Sequence, residues 1–283
     1  MAATEILVCD YDLAATLDSG QVFRWQRVGN SWHGVLGQHA IQLTKTGDKI
    51  YAATATPVDD WKFLRHFLQT ETDLAAILKT FPDDAPMRAA VAASPGLRLL
   101  RQDPWECLAS FILSSTKQIV QIRQIVALLS ERLGAPLTPS PMDLSALRYS
   151  FPTPEKIAAA TEADLRACKM GFRAPNLLHA ARQIAAGKID LERIRTLDYA
   201  TARAELMTLR GVGGKIADCV LLFGYGFEAA FPVDVWIERA LQELYFPRRR
   251  ASAKRLHNFA ATHFGPHAGY AQQYLFHYMR TKH

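Results

Sequence analysis

Leu209-Arg210-Gly211-Val212-Gly213-Gly214-Lys215-Ile216-Ala217-Asp218-Cys219 sets a glycine turn between two apolar runs, and Pro232-Val233-Asp234-Val235 follows it. Glycines at 211 and 213 allow a sharp turn and a close approach of backbone to a ligand, and the helix that starts after them presents unpaired N–H groups to an anion. The stretch reads as a hairpin of two helices, over about residues 199–227, that grips a nucleic-acid backbone through Gly211, Val212 and Gly213. Lys215 falls in the first turn of the second helix, with Cys219 four residues on along the same face, so the two form one wall of a pocket. Each residue alone has a plainer reading: Lys215 as a solvated lysine, Cys219 as a small core residue, Asp234 as a helix cap after Pro232.

Around this stretch lie 283 residues, 49% hydrophobic and 21% charged, a composition that suits a sizeable core and about two domains. Basic residues outnumber acidic ones by six, which fits a polyanionic partner and equally a merely soluble basic protein. Met1-Ala2-Ala3-Thr4-Glu5-Ile6 has neither a charged lead nor a long apolar core, so no secretory signal is expected. The longest apolar stretch, Cys219 to Phe231, is broken by Gly224, Gly226 and Glu228 and is too short for a bilayer. An intracellular protein with no membrane partner is expected, cytoplasmic in a prokaryote and nuclear in a eukaryote. Cys9, Cys107, Cys168 and Cys219 include no C-x-x-C pair, which argues against zinc and against a disulfide framework, and no cofactor is expected.

Residues 21–54 read as short runs, Val22-Phe23-Arg24-Trp25, Trp32-His33-Gly34-Val35-Leu36, Ala40-Ile41-Gln42-Leu43 and Ile50-Tyr51-Ala52-Ala53. Gly29-Asn30, Gly37-Gln38 and Gly47-Asp48 part them, the pattern of an antiparallel meander. Thr56-Pro57 offers an N-cap and first-turn proline for a helix carrying Trp61, Leu64 and Phe67. Asp103-Pro104-Trp105-Glu106 has the form of a capping box, opening a helix through Ser115. Another helix is expected over about 118–133, Thr153-Pro154 and Thr161 cap short ones, and residues 134–141, with three prolines, read as a loop. Beyond residue 100 no strand is expected. Arg248-Arg249-Arg250 is a tight charge run, either a solvated loop or a phosphate contact. The expected fold is α+β and mostly α: an N-terminal small antiparallel β-sheet domain with flanking helices (1–100) packed on two helical subdomains (101–283), whose cleft holds the site.

In order, the hairpin, the lysine after it and the Pro-Val-Asp segment resemble the lysine-bearing branch of the helix-hairpin-helix, Gly/Pro-Asp superfamily of DNA glycosylases. Ser19-Gly20-Gln21-Val22-Phe23-Arg24-Trp25, Arg98-Leu99-Leu100-Arg101-Gln102-Asp103-Pro104, Ser110-Phe111-Ile112 and Ala271-Gln272-Gln273-Tyr274-Leu275-Phe276 are similar to the 8-oxoguanine DNA glycosylase family, over nearly the whole chain. The scattered cysteines exclude the four-cysteine iron–sulfur loop of some superfamily members. The resemblance implies that a damaged base is flipped from duplex DNA and held between Cys219 and Phe276. It implies that Gln272 reads the Watson–Crick edge, and the i, i+4 spacing independently puts Gln272 and Phe276 on one helix face. It gives the Gly20 carbonyl the task of accepting a hydrogen bond from N7–H, a group the oxidised base has and guanine lacks; a plain turn into the first strand is the alternative for Gly20. It makes Lys215 the nucleophile that attacks the sugar C1′ as a neutral amine, and Asp234 the group that stabilises the cationic sugar. The resulting Schiff base would permit β-elimination of the 3′ phosphate, so the implied enzyme both excises the base and nicks the strand, acting as a monomer.

The match has departures. Where better-known family members carry an asparagine run after Ser-Ser, this chain has Ser114-Ser115-Thr116-Lys117-Gln118. An arginine expected to bind the opposite cytosine is replaced by Gln121, while a second is matched by Arg173. A weaker preference for the opposite base is expected, with Thr116, Lys117, Gln118 and Arg173 as candidate DNA contacts; Lys117 and Gln121 also suit a solvated helix start. The family histidine after the aspartate is replaced by Trp236, and an acidic residue after the phenylalanine by Met279. That apolar pair reads either as a brace behind Phe276 or as ordinary core. Two rival functions remain open on sequence: an alkylated-purine glycosylase, against which Lys215 argues, and a non-catalytic hairpin that only binds DNA.

Overall fold

The computed structural model describes residues 2–115, 117–138, 147–248 and 250–282. Five strands, β1 (Ala2–Leu7), β2 (Trp25–Val28), β3 (Ser31–Leu36), β4 (His39–Thr46) and β5 (Lys49–Thr54), form one antiparallel sheet in the order β1-β5-β4-β3-β2. The last four are the expected meander. The first is a strand the sequence did not announce: it joins the far edge, with Ile6 opposite Ile50, and its partner lies too distant in the chain for any local turn signal. Strand β2 starts at Trp25, later than expected, because Val22-Phe23-Arg24 is the crossing between two cores: Phe23 packs with the helices and Trp25 with the sheet.

One face of the sheet carries Ile6, Trp25, Trp32, Ile41, Leu43 and Ile50 and buries them against Leu13 and Leu17 of α1 (Leu13–Asp18) and Leu64, Phe67 and Leu68 of α2 (Lys62–Leu68). Trp25 stacks on Phe67 at 5.7 Å. The expected N-cap at Thr56 is not used: α2 begins after Trp61, and the Thr56 hydroxyl instead pairs with His39 Nδ1 at 2.7 Å.

Two helical groups follow. The first comprises α5 (Pro104–Ser114), α6 (Ile119–Leu133), α7 (Pro154–Ala158), α8 (Glu162–Ala167), α9 (Ala174–Ala185), α10 (Leu191–Ile194), α11 (Tyr199–Leu206) and α12 (Gly214–Val220), the last continued by a π-helical turn at Leu221–Tyr225. The second comprises α13 (Val235–Tyr245), α14 (Ala253–His263) and α15 (Ala268–Lys282), and α4 (Ala85–Ala93) packs on α15. Residues of α3 (Leu74–Leu78) and α4 therefore share the large helical core, not the core of the sheet. Among the described residues beyond 100, β structure is limited to one bridge, Pro136 with Tyr149.

The caps follow the sequence with one correction. Asp103 accepts the Glu106 amide at 2.8 Å, but the Glu106 carboxyl does not return to the cap; it lies 3.7 Å from the Arg24 guanidinium, largely out of water. Helix α6 has the reciprocal box, with the Gln121 side chain accepting the Gln118 amide at 3.2 Å.

Candidate active site

The two helical groups leave a cavity of about 420 Å³ between them, within the usual range for small-molecule pockets, ~300–1,000 Å³. One side is built by α5, α6 and α12, the other by the start of α13 and by α15, with Gly20 after α1 closing one end. Lys215, Cys219, Asp234, Gly20, Gln272, Phe276, Lys117 and Gln118 all line it. The hairpin, the Pro-Val-Asp segment, the Ser-Gly-Gln turn and a late helix thus converge on one space.

Lys215 is half-buried in the first turn of α12. Its amine sits 3.4 Å from the Ser114 hydroxyl and 5.1 Å above the Phe111 ring, which is itself stacked on Phe223 at 5.6 Å. This aromatic floor holds the lysine stem and limits water beneath the amine. Cys219 lies one turn on, and burial pushes its thiol up to about 12, with Lys215 pulling the other way. A thiol held in that form is a soft apolar wall, not a nucleophile. Asp234 caps α13, accepting the Ile237 amide at 2.9 Å. Its carboxyl is nevertheless held above the usual aspartate range, because burial outweighs both that amide and the attraction of Lys215. The capping role and the cavity role belong to the same side chain.

Gln272 is 4% exposed, and its Oε1 is buried with no hydrogen-bond partner. A buried acceptor left unpaired is costly, and a ligand carrying N–H donors would satisfy it. Gly20 has φ +79°, and a side chain there would start 2.9 Å from Ile119, 3.1 Å from the Phe276 ring and 3.2 Å from Arg280. Both backbone and space require glycine at this point. The turn is anchored on each flank. The Gln21 side chain, fully buried, donates to the Thr16 and Arg98 carbonyls at 2.9 and 2.8 Å and accepts the Leu100 amide at 2.8 Å. Gln273 of α15 donates to the Ser19 carbonyl at 2.8 Å.

The hairpin itself, α11 to α12, uses its glycines differently. Gly211 has φ +79°, and a side chain there would strike Asn176. Gly213 has an ordinary extended backbone and open space beside it. No side chain caps α12 at Gly213, so first-turn N–H groups stay available to an anion. Val212 is turned inward, 5% exposed, and its amide bonds the Leu209 carbonyl at 3.0 Å, leaving Gly211 and Gly213 as the exposed members of the expected grip. Gly214 makes room for Arg203, whose guanidinium is held by buried Asp218 at 2.7 Å.

Arg173 is 3% exposed and donates to the Ser115 and Met170 carbonyls, so it braces the loop after α5 from within. Thr116 lies outside the described residues, as does Arg249 of the basic run. Trp236 and Met279 part company: Met279 is fully buried, while Trp236 is half-buried and lines the cavity. Sequence reading missed Phe111 and Ser114 beneath Lys215, and Arg280 at the far end. The last was within reach of helical spacing, being four residues beyond Phe276.

A family model described as "8-oxoguanine DNA glycosylase, N-terminal domain" matches residues 6–108, and one described as "HhH-GPD superfamily base excision DNA repair protein" matches residues 109–264. The chain belongs to the 8-oxoguanine glycosylase branch of the HhH-GPD superfamily. It is 31% identical to a probable N-glycosylase/DNA lyase of Methanothermobacter thermautotrophicus, over 97% of this chain and 95% of that one. Among solved structures, the 8-oxoguanine glycosylase/lyase of Clostridium acetobutylicum, bound to double-stranded DNA with cytosine opposite 8-oxoguanine, superposes with a TM-score of 0.90 at 31% identity, covering 100% of this chain and 98% of that chain. MBOgg1 in complex with a low-affinity DNA ligand gives 0.93, also at 31% identity, over 100% and 96%. No described helix of this HhH-GPD protein is long and apolar enough to cross a membrane.

Proposed function

We propose that this cavity receives an 8-oxoguanine flipped from duplex DNA, and that the chain, a DNA N-glycosylase with AP lyase activity in base excision repair, removes it there. The observation that carries the reading is the convergence of Lys215 and Asp234 on one cavity, whose far wall offers Phe276 and the unpaired Oε1 of Gln272. The lysine amine, in its neutral form, attacks C1′ of the deoxyribose; the bond from C1′ to N9 breaks, and the base leaves with a proton. The Asp234 carboxylate, fixed by the Ile237 amide, stabilises the positive charge that develops on the sugar. The C1′–O4′ bond of the adduct then breaks, O4′ taking a proton as the sugar ring opens, to give a Schiff base, and removal of a C2′ proton expels the 3′ phosphate. Phe276 and the Cys219 thiol supply the two faces between which the base stacks. All these groups come from a single chain, which supports action as a monomer, in whichever compartment holds the DNA.

Borohydride trapping on an 8-oxoguanine duplex tests the assignment. The native protein should form a covalent adduct with nicked DNA, and Lys215→Gln should form none while still binding the lesion duplex. A persistent adduct in that variant would place the nucleophile elsewhere.

A further inference from the structure

Gln272, Phe276 and Arg280 stand on three successive turns of one face of α15 and all line the cavity, spanning about 12 Å at 1.5 Å per residue. A purine stacked on the middle residue therefore has one edge toward Gln272 and the opposite edge toward Arg280. The guanidinium is half-buried and lies 5.9 Å from the Phe276 ring centre. One amino group, Nη2, is fixed by donating to the Asp18 carbonyl. The other, Nη1, stands 3.2 Å from the point where a side chain at Gly20 would begin, and has no hydrogen bond to any described residue. Nearby charges are balanced: the Asp18 carboxylate pairs with Arg123 at 3.0 Å. An always-charged fork, anchored on one prong and open on the other in a partly dry site, is suited to a carbonyl oxygen.

Resting on the reading that 8-oxoguanine enters this cavity with its Watson–Crick edge at Gln272, we infer that Arg280 is a specificity-determining residue whose Nη1 donates a hydrogen bond to O8, the oxygen that oxidation adds at C8. Guanine has only C–H there, so the donor finds a partner in the lesion alone. Oxygen O6 is common to both bases, and a contact with it would raise affinity for both alike.

The test is binding of the full chain to four duplexes made non-cleavable by a 2′-fluoro sugar, carrying guanine, 8-oxoguanine, 8-thioguanine or an abasic analogue. Sulfur at C8 keeps N7–H and replaces the oxygen by a poor acceptor. The native protein should bind 8-oxoguanine at least about tenfold more tightly than 8-thioguanine, the worth of one charge-assisted hydrogen bond. Arg280→Met should remove most of that gap and reduce the ratio of 8-oxoguanine to guanine affinity by a similar factor, with abasic-analogue binding and melting temperature as controls of folding. Arg280→Lys, which keeps a cationic donor, should retain more of both ratios. Uniform weakening on all four duplexes would make Arg280 a backbone or structural contact, and unchanged ratios in both variants would overturn the proposal while leaving base excision intact. Should the native protein show no preference for 8-oxoguanine over guanine, the reading of the cavity itself fails.

Discussion

At position 20 there is no room for even a single methyl group without displacing the cavity wall. Alanine there would adopt a left-handed backbone and press on Ile119, Phe276 and Arg280 together, so Gly20→Ala should lower the excision rate on 8-oxoguanine duplex by at least about tenfold, by shifting the ring of Phe276. Near-native excision would show that the wall yields. Asp234→Asn separates the two duties of that side chain, because asparagine caps a helix as well as aspartate does. The variant should keep its melting temperature within about 2 °C while excision falls by at least about tenfold. The direction of the Asp234 shift also sets a pH dependence. A carboxyl held above its usual ~3.9 takes up its proton at higher pH, so excision should fall with acidification before an ordinary aspartate would titrate, and this limb should vanish in Asp234→Asn. Pattern and family spacing made Lys215, Asp234, Gln272 and Phe276 legible, because turn chemistry and i, i+4 relations are local. The approach of Arg280 to Gly20 and the Gly214 and Arg203 pair were not, since these contacts are set by packing between distant segments, although helical spacing alone puts Arg280 on the face of Phe276.

Element by element, the helices were legible where caps announce them: Thr153, Thr161 and Asp103 each accept the amide three residues on. Where tertiary contact decides, local signals misled. Thr56-Pro57 looked like a helix start but faces His39, and Glu106 left its cap for Arg24. Burial holds the Glu106 carboxyl at about 7, against the pull of Arg24 and with Asp103 adding to the rise. The folded form thus keeps its proton up to about neutrality, whereas an unfolded glutamate loses it near ~4.3, so stability declines as pH rises through that window. Denaturant unfolding at pH 5 and pH 7.5 should show a smaller decline in Glu106→Gln than in the native chain; equal declines would mean the carboxyl is ionised throughout. Gln21 is the counterpart among neutral groups. Removing its amide in Gln21→Ala would leave buried carbonyls and the Leu100 amide unpaired, and should destabilise by roughly 2–4 kcal/mol in equilibrium unfolding.

On the scale of the whole molecule, the class, the meander and the cleft between two helical groups follow from the order of motifs, while the fifth strand and the seating of α4 against α15 do not, because each is a contact between remote parts of the chain. The residues expected near the opposite strand have their own logic. Gln121 is turned back to cap α6, Arg173 is spent on backbone carbonyls, and Arg123 is paired with Asp18. With no arginine standing free among these three, excision rates with C, A, G or T opposite the lesion should agree within about tenfold, as a missing bidentate base contact is worth ~1–3 kcal/mol of discrimination. A steep preference for cytosine would show that one of them swings outward on DNA.

Gln273 of α15 is tied to the Ser19 carbonyl, so the turn at Gly20 is braced by a helix that the ribosome makes more than two hundred residues later. A nascent polypeptide that has emitted the hairpin but not this helix already carries Lys215, yet lacks both the brace on the Gly20 turn and the wall formed by Gln272 and Phe276. Completion of the cavity is thus among the last events of synthesis, and a chain cut short there would lack one whole wall.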